Sequence, residues 1–325
     1  MDDVEVIIDG TIGLIDFLGC VYMRFCIMSN TKNIQIIFNK IYEFREFCKD
    51  EDLIETEDKI RKFTKFIVLY CLMGNVVNLL IPVFNLENCR STRSPDLIVH
   101  DPCGVLCRCY YPSDVSRFPG IIYVFILQFY TALVVTMSVL NITMLLIGVL
   151  IHATAQLRHC RKMLREIVDH PDVDEKLVHV IKYHIKITEF SHHMNKAFNQ
   201  MMLIHVTATS CVISFLGFKI VTAENSTDPL RFFLHLAGWI VLVLIVCFCG
   251  QLLINESTNV ARDAYFLPWY KLSTDNQKYI KMIIMRGQHP LQLSAASLGN
   301  MSFPTFLAVL KSAYSYFTLL LKIKG

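Results

Sequence analysis

Apolar residues dominate six separate stretches of this chain, and polar residues collect between them. The six stretches cover residues 4–28, 63–86, 120–152, 201–222, 232–254 and 303–323. Each stretch is long enough for a helix to cross the hydrocarbon core of a bilayer, which takes roughly 20 residues. The pattern therefore predicts an all-α integral membrane protein with six spans.

The first and last stretches carry polar side chains at membrane depth. The first is the least apolar of the six, because it contains Asp9, Asp16 and Arg24. A charged group in hydrocarbon is costly, so Asp16 is a candidate functional residue, with a purely structural role equally open. The last stretch holds polar or hydroxyl-bearing residues at Lys311, Tyr314, Ser315, Tyr316 and Thr318. We expect this last helix to face protein or water on one side and to line a pore.

Lysine and arginine are distributed unequally between the loops. Loops 29–62, 153–200 and 255–302 hold 7, 8 and 5 of them, a total of 20. The two tails together with loops 87–119 and 223–231 hold only 6. Cytoplasmic loops carry the excess of positive charge in membrane proteins. The three basic loops are therefore predicted to be cytoplasmic, and both ends of this chain to lie outside the cell.

Two features of the predicted outer loops agree with this orientation. Asn225-Ser226-Thr227 is an N-glycosylation sequence, so Asn225 is predicted to carry a glycan. Loop 87–119 contains four cysteines, Cys89, Cys103, Cys107 and Cys109. Disulfides persist outside the cell, but the sequence leaves the pairing of these cysteines open.

The cytoplasmic loops show helical periodicity rather than the composition of flexible linkers. In 153–200, Leu177, Ile181 and Ile185 recur at helical spacing. The segment 273–286 opens on the capping residue Ser273 and is closed by Pro290. We also expect the helix of the third span to continue to about Leu164. Together these helices predict a cytoplasmic anchor bundle, built from regions 153–200 and 255–302.

The chain lacks the short motifs of the common enzyme classes, since it has no P-loop, GxGxxG, HExxH or GxSxG sequence. Four histidines of the second basic loop (His179, His184, His192 and His193) have no cysteine or acidic cluster beside them, which disfavours a metal site. His100 and Asp101 beside the outer cysteines are a slightly better metal candidate, although disulfides or simple loop cysteines are favoured at that position. A net charge of +3 on 325 residues gives no indication of nucleic-acid binding. We expect neither enzymatic activity nor a cofactor.

The outer part of the third span carries a helical stripe with two hydroxyl-bearing rings, at Tyr123, Leu127 and Tyr130. Stripes of this kind occur more often in helix packing than in ligand pockets. A pocket for a small apolar molecule would nevertheless need this mixture of aromatic and aliphatic walls with a few hydroxyl groups.

Several longer stretches occur in an order that a known family shares. The first is Tyr110-Tyr111-Pro112-Ser113-Asp114, followed by Tyr123 and Gln128. Glu256-Ser257, Ala264-Tyr265 and Trp269-Tyr270 follow the fifth span. The most specific block is C-terminal: Met285-Arg286-Gly287-Gln288, Pro290-Leu291, Leu298 and residues 306–317. In these stretches the chain resembles the insect odorant receptors.

The resemblance implies a ligand-gated, non-selective cation channel of four subunits with a pore lined by the last helix. It implies that this chain is an odorant-tuned subunit, which forms a heterotetramer with a coreceptor through the cytoplasmic anchor. The expected location is the plasma membrane, in the dendrite of a sensory neuron. The family has seven spans, with the N-terminus inside and the C-terminus outside. Because six spans are found here, the resemblance also implies that this chain lacks the first of them.

The resemblance also assigns candidate site residues. The pore constriction falls on Leu319 and Ile323, with Lys322 near the outer mouth. Apolar rings at such positions can close a pore by excluding water. The ligand pocket falls in the outer half of the bundle, between the spans 4–28, 63–86, 120–152 and 232–254. Its candidate residues are Phe17, Leu80, Phe84, Tyr123, Leu127, Tyr130 and Thr131.

Two alternative functions compete with this one. Gustatory receptors of the same superfamily carry Thr-Tyr and Gln-Phe pairs where this chain has Ser315-Tyr316 and Lys322-Ile323, which favours the odorant branch. A secondary transporter would show repeated or inverted span patterns and broken helices at mid-membrane. Neither is visible in the sequence.

Overall fold

Nine α-helices form the part of the chain that the computed structural model describes. That part is residues 2–47, 50–92, 102–106, 111, 114–115, 117–167, 172–223 and 228–324. The helices are α1 (Asp2–Ser29), α2 (Thr31–Glu43), α3 (Asp50–Phe84), α4 (Leu86–Thr92), α5 (Gly120–Arg165), α6 (Val173–Thr222), α7 (Asp228–Phe266), α8 (Thr274–Gly287) and α9 (Phe303–Lys324). Within these residues, extended backbone pairs only at an isolated bridge between Ser294 and Asn300.

Six of the helices (α1, α3, α5, α6, α7 and α9) are long and apolar enough to cross a membrane. The predicted all-α membrane fold with six spans is therefore confirmed. α5 has 46 residues, which at 1.5 Å per residue gives about 69 Å. That length is about twice the ~30 Å thickness of the hydrocarbon core, so α5 extends well beyond it.

Two helix ends outside the apolar stretches lie close to their predicted positions. α5 ends at Arg165, one residue beyond the expected Leu164. α8 begins directly after Ser273, whose side-chain oxygen accepts a hydrogen bond from the backbone N–H of Asn276 at 3.4 Å. That hydrogen bond satisfies one of the N–H groups that a helix start leaves unpaired.

The core is a continuous apolar cluster centred on α5, α6 and α7. Leu150 and Leu157 of α5, Phe190 and Phe198 of α6 and Leu253 of α7 are completely buried in it. A smaller cluster lies at the outer end of the bundle. It joins Ile8 and Ile12 of α1, Val212, Leu216 and Phe218 of α6 and Phe232 of α7, with Phe317, Leu320 and Leu321 of α9 packed against them.

Ion pairs join α5 to α7 beyond the apolar stretches. Arg161 donates hydrogen bonds to Glu256 and, at 2.7 Å, to Asp263. Arg158 donates to Glu256 at 2.9 Å, and Arg165 donates to both carboxylate oxygens of Asp263 at 3.0 Å. The two carboxylates are largely buried, and each is neutralised by two guanidinium groups. Removing one partner would leave a buried charge unpaired, so the loss of any carboxylate in this network should destabilise the contact between α5 and α7.

Candidate functional site

The last helix, α9, has one buried face and one exposed polar face. Val309 and Ala313 are buried at 3% and 2% exposure and lie on the face that packs against the bundle. Lys311, Ser315, Thr318 and Lys322 are all exposed, and their spacing places them along one stripe of the helix. An apolar helix of membrane-spanning length thus presents a row of charged and hydroxyl groups to its surroundings.

The predicted gate residues lie on the exposed side of α9. The side chains of Leu319 and Ile323 are 55% and 73% exposed in the single chain. The two residues are four positions apart and therefore one above the other on the helix surface. Lys322 is exposed as well. All three side chains are therefore exposed near the C-terminal end of α9.

The segment that leads into α9 is held tightly by α6 and α7. Leu293 and Met301 are completely buried, and the Met301 N–H donates to the Leu293 carbonyl at 2.7 Å. The Ser294 N–H donates to the side-chain oxygen of Asn195 on α6 at 2.8 Å. The Leu291 N–H donates to the Ser257 hydroxyl oxygen on α7 at 2.9 Å. The start of α9 is therefore tied to the long helices that run out of the membrane.

The seven residues predicted to bind a ligand are all exposed in the single chain. They are Phe17, Leu80, Phe84, Tyr123, Leu127, Tyr130 and Thr131. Tyr123, for example, is 70% exposed. The Thr131 hydroxyl donates to the Leu127 carbonyl at 2.8 Å within the same helix. The stripe on α5 therefore lies on the outer surface of the helix rather than in the packed core.

A short outer segment is tied to both α4 and α5. A disulfide joins Cys89 of α4 to Cys103, which selects one of the pairings left open by the sequence. The Leu106 N–H donates to the side-chain oxygen of Gln128 on α5 at 2.9 Å, and the Gln128 amide donates to the Tyr111 hydroxyl at 2.9 Å. This hydrogen bonding gives Gln128 a structural role. The other candidates of the outer loops (His100, Asp101, Cys107, Cys109 and Asn225) lie outside the described residues.

Several polar groups inside the bundle were not identified from the sequence. The Tyr70 hydroxyl on α3 donates to the Leu234 carbonyl on α7 at 2.9 Å. The Trp239 indole donates to His235 one turn away at 3.1 Å. His205 of α6 is buried, and its ring centre lies 6.0 Å from that of Trp239. Each of these residues is a polar residue within an apolar stretch of the sequence. That pattern marks the residue as unusual, but it does not show which helix the side chain contacts.

Comparisons with known proteins agree with these features. A family model described as 7tm Odorant receptor matches residues 3–314. The chain is 32% identical to putative odorant receptor 92a of Drosophila melanogaster over 154 residues, which is 47% of this chain and 38% of that protein. It is 28% identical to odorant receptor 67c of the same species over 147 residues, 45% of this chain and 36% of that protein. The chain thus spans less than half the length of these curated relatives.

A solved structure shares the fold of the whole chain. The olfactory receptor OR5 of Machilis hrabei in complex with eugenol superposes with a TM-score of 0.83. The superposition covers 98% of this chain and 82% of that one at 14% sequence identity. The structure of the same receptor described without eugenol gives a TM-score of 0.76. At this level of identity, the similarity establishes the fold.

Proposed function

This chain belongs to the 7tm odorant receptor family, whose model matches residues 3–314, and on that premise we propose that it is an odorant-tuned subunit of a ligand-gated cation channel. It is a multi-pass membrane protein of a family of receptors, not of enzymes. The proposed stimulus is a small volatile molecule that binds in the outer half of the helical bundle. The family assignment favours this function over a gustatory receptor or a secondary transporter.

The exposed polar stripe of α9 is the observation that carries the channel proposal. Lys311, Ser315 and Lys322 lie on an apolar helix that packs on the bundle only through its opposite face. The Ser315 hydroxyl donates to the Lys311 carbonyl at 3.0 Å within the same helix, but the lysine ammonium groups are stable at membrane depth only when they face water or protein rather than lipid. Copies of α9 around a central axis would give this stripe water on one side and neighbouring subunits on the other. The pore then runs along α9.

Leu319 and Ile323 are the proposed gate of that pore. In a ring of subunits their side chains would form two apolar constrictions about one helical turn apart, and such constrictions close a channel by excluding water. Lys322 lies between them in sequence and near the outer mouth. Its long side chain can extend toward the interface and keep the ammonium group away from the path of a cation.

The proposed ligand site lies between α1, α3, α5 and α7 in their outer halves. Its walls include Phe17, Leu80, Phe84, Tyr123, Leu127, Tyr130 and Thr131. These side chains are exposed in the single chain, so the proposal requires them to be covered by the ligand or by a neighbouring subunit. The Machilis hrabei receptor was solved with eugenol, which supports a small organic ligand for this fold. Ligand binding opens the pore only if the open state binds more tightly than the closed state.

The proposed partner is a coreceptor, with which this chain forms a heterotetramer in the plasma membrane. The basic helical regions 153–200 and 255–302 would supply the anchor between subunits. α8 supports this arrangement, because Met282 and Met285 are exposed on it at helical spacing. Exposed apolar side chains that cluster on one face are typical of surfaces that bind another protein.

Whole-cell recording from cells that co-express this chain with a coreceptor tests the proposal. We expect an inward cation current with at least one volatile from a broad panel, and none in cells with the coreceptor alone. Silence toward the whole panel, with normal delivery to the cell surface, would contradict the proposed function.

The gate is tested by Leu319→Ala, with Leu69→Ala on α3 as the matched control. The two leucines are 55% and 60% exposed, and each lies in an apolar helix of membrane-spanning length. Leu69 lies on a different helix from the proposed pore lining. Leu319→Ala should raise the basal current or change ion permeability, whereas Leu69→Ala should do neither. Identical behaviour of the two variants would remove Leu319 from the gate.

A further inference from the structure

Asp16 is a charged residue on the inward face of a membrane-spanning helix. Ile12, Cys20 and Met23 precede and follow it at helical spacing and are buried at 8%, 5% and 3% exposure. The carboxyl group therefore points into the bundle, near the middle of the face that α1 packs against its neighbours. Because the side chain points into the bundle, it cannot lower the free-energy cost of its buried charge by extending toward the membrane surface.

The carboxyl group of Asp16 is incompletely paired within the protein. Its Oδ1 is out of contact with solvent and has no hydrogen-bond partner among the described residues. Arg24, the other charged residue inside this span whose side chain is described, donates to the Ser138 hydroxyl on α5 at 2.5 Å. Buried polar atoms are nearly always hydrogen-bonded in folded proteins, so an exception of this kind calls for an explanation.

The depth of Asp16 matches that of the proposed ligand site. Arg24 contacts Ser138, and α1 and α5 run in the same direction through the membrane. Asp16 lies eight residues, or about 12 Å, before Arg24 toward the outer side. The same distance from Ser138 along α5 leads to Tyr130 and Thr131. The carboxyl group is therefore level with two residues of the proposed site.

Space lies beside the carboxyl group on both sides along α1. Gly13 and Gly19 are three positions before and after Asp16, so one lies roughly a turn above it and the other a turn below. Gly13 is exposed and Gly19 is half-buried, and a Cβ atom added to either glycine would meet nothing within 4 Å. Open space therefore flanks the buried face of α1 on both sides of Asp16.

We infer that Asp16 anchors the polar end of the ligand, and that the ligand class it favours is a small alkylamine in its ammonium form. This inference rests on the proposed function. A buried carboxylate is costly alone and becomes stable when a cation with hydrogen-bond donors pairs with it. Charge-assisted hydrogen bonds are about twice as strong as neutral ones, so an ammonium group is favoured over a hydroxyl. The alkyl chain of the ligand would lie against the aliphatic and aromatic walls of the outer half.

The test compares two homologous ligand series on the receptor with its coreceptor. The probes are primary n-alkylamines and alkyl acetates of matched chain length, and the readout is the concentration that gives half-maximal current. We expect Asp16→Asn, which keeps the shape of the side chain, to raise this concentration at least tenfold for amines and less than twofold for acetates. Asp58→Asn is the control, because Asp58 forms an exposed ion pair with Lys62 at 2.7 Å. It should change neither value.

A second variant tests the space beside the carboxyl group. Gly13→Ala adds one methyl group where nothing lies within 4 Å, so the fold should tolerate it. We expect it to weaken the response to longer amines more than the response to methylamine. An unchanged response to the whole amine series would exclude the open space at Gly13 from the site.

The outcomes separate this inference from the proposed function. A receptor that responds to acetates but to no amine, or whose amine response survives Asp16→Asn, overturns the role of Asp16 and leaves the channel intact. A variant that loses surface delivery and both responses together shows a structural role for Asp16 and also overturns the inference. A surface-delivered wild type that is silent to every volatile contradicts the proposed function itself.

Discussion

Gly250 lies where α7 passes the segment that leads into α9, the proposed pore helix. A Cβ atom built on Gly250 would lie 2.2 Å from the Met301 carbonyl oxygen and 3.0 Å from its carbonyl carbon. These are backbone atoms, which cannot rotate away as a flexible side chain can. Met301 is completely buried, and its N–H is bonded to the Leu293 carbonyl at 2.7 Å. Gly250→Ala should therefore displace the segment directly before α9.

The size of the effect follows from two opposing contributions. Extra atoms in a well-packed core cost about 1–3 kcal/mol, and a clash with backbone belongs at the upper end of that range. Replacing glycine by alanine within a helix returns about 1 kcal/mol. The expected net loss of stability is therefore about 1–2 kcal/mol. Because Phe303 begins α9 directly after this segment, we also expect a change in the basal current.

The assay is the thermal unfolding of the detergent-solubilised receptor, followed by size-exclusion chromatography, together with whole-cell recording. Gly74→Ala on α3 is the matched control, since a Cβ atom there meets nothing within 4 Å. The control should be neutral or more stable by up to about 1 kcal/mol. If Gly250→Ala and Gly74→Ala unfold at the same temperature and gate alike, the close contact between α7 and Met301 does not exist in the protein.

Two further predictions concern the parts of the helices outside the apolar stretches. Asp263→Asn leaves Arg161 and Arg165 without their shared carboxylate and should lower the unfolding temperature. The control is Asp275→Asn, which removes an exposed ion pair with Lys278 and should leave the unfolding temperature unchanged. His184 lies outside the 201–222 span, and burial, with a contribution from the charge of Arg286, lowers its pKa to about 4. In the unfolded chain the pKa of His184 is about 6.5, so protonation at lower pH favours the unfolded state. The contribution of the buried neutral imidazole to the free energy of unfolding is therefore complete above pH 6.5 and is lost as the pH falls toward 4. Between pH 7 and pH 5 the loss is about 2 kcal/mol. His184→Gln should make the thermal unfolding of the receptor less sensitive to pH between about pH 7 and pH 5. If the variant and the wild type lose stability equally over this range, His184 is not buried as described.

Helix type and extent could be predicted because they depend on local chemistry. The Ser273 cap and the continuation of α5 to Arg165 follow from side chains within a few residues of each boundary. Membrane-spanning stretches are similarly local, since a run of about 20 apolar residues is sufficient to indicate one. The fold class therefore required no knowledge of which helices touch.

Contacts between helices could not be predicted in the same way. Periodicity shows that Tyr123, Leu127 and Tyr130 share one face of α5, but it does not show what covers that face. In the single chain the face is exposed. Gln128 lies on the same helix, and its side-chain oxygen accepts a hydrogen bond from the backbone N–H of Leu106, a residue of the outer loop. Such pairings depend on the path of the loop and on the rotation of the helices relative to each other. Local patterns in a single sequence show neither of these.

Asp16 and the stripe on α9 show the same physical rule with different outcomes. Both place polar groups at membrane depth, where lipid cannot satisfy them. On α9 the polar groups lie on the face turned away from the bundle. The Ser315 and Thr318 hydroxyls donate to carbonyls of the same helix at 3.0 and 2.9 Å, so the two lysines are the groups that need water or another subunit. On α1 the carboxyl group of Asp16 lies on the face turned into the bundle, where the proposed ligand would meet it. The direction of each polar group, rather than its presence, is therefore the basis of the two roles proposed for them.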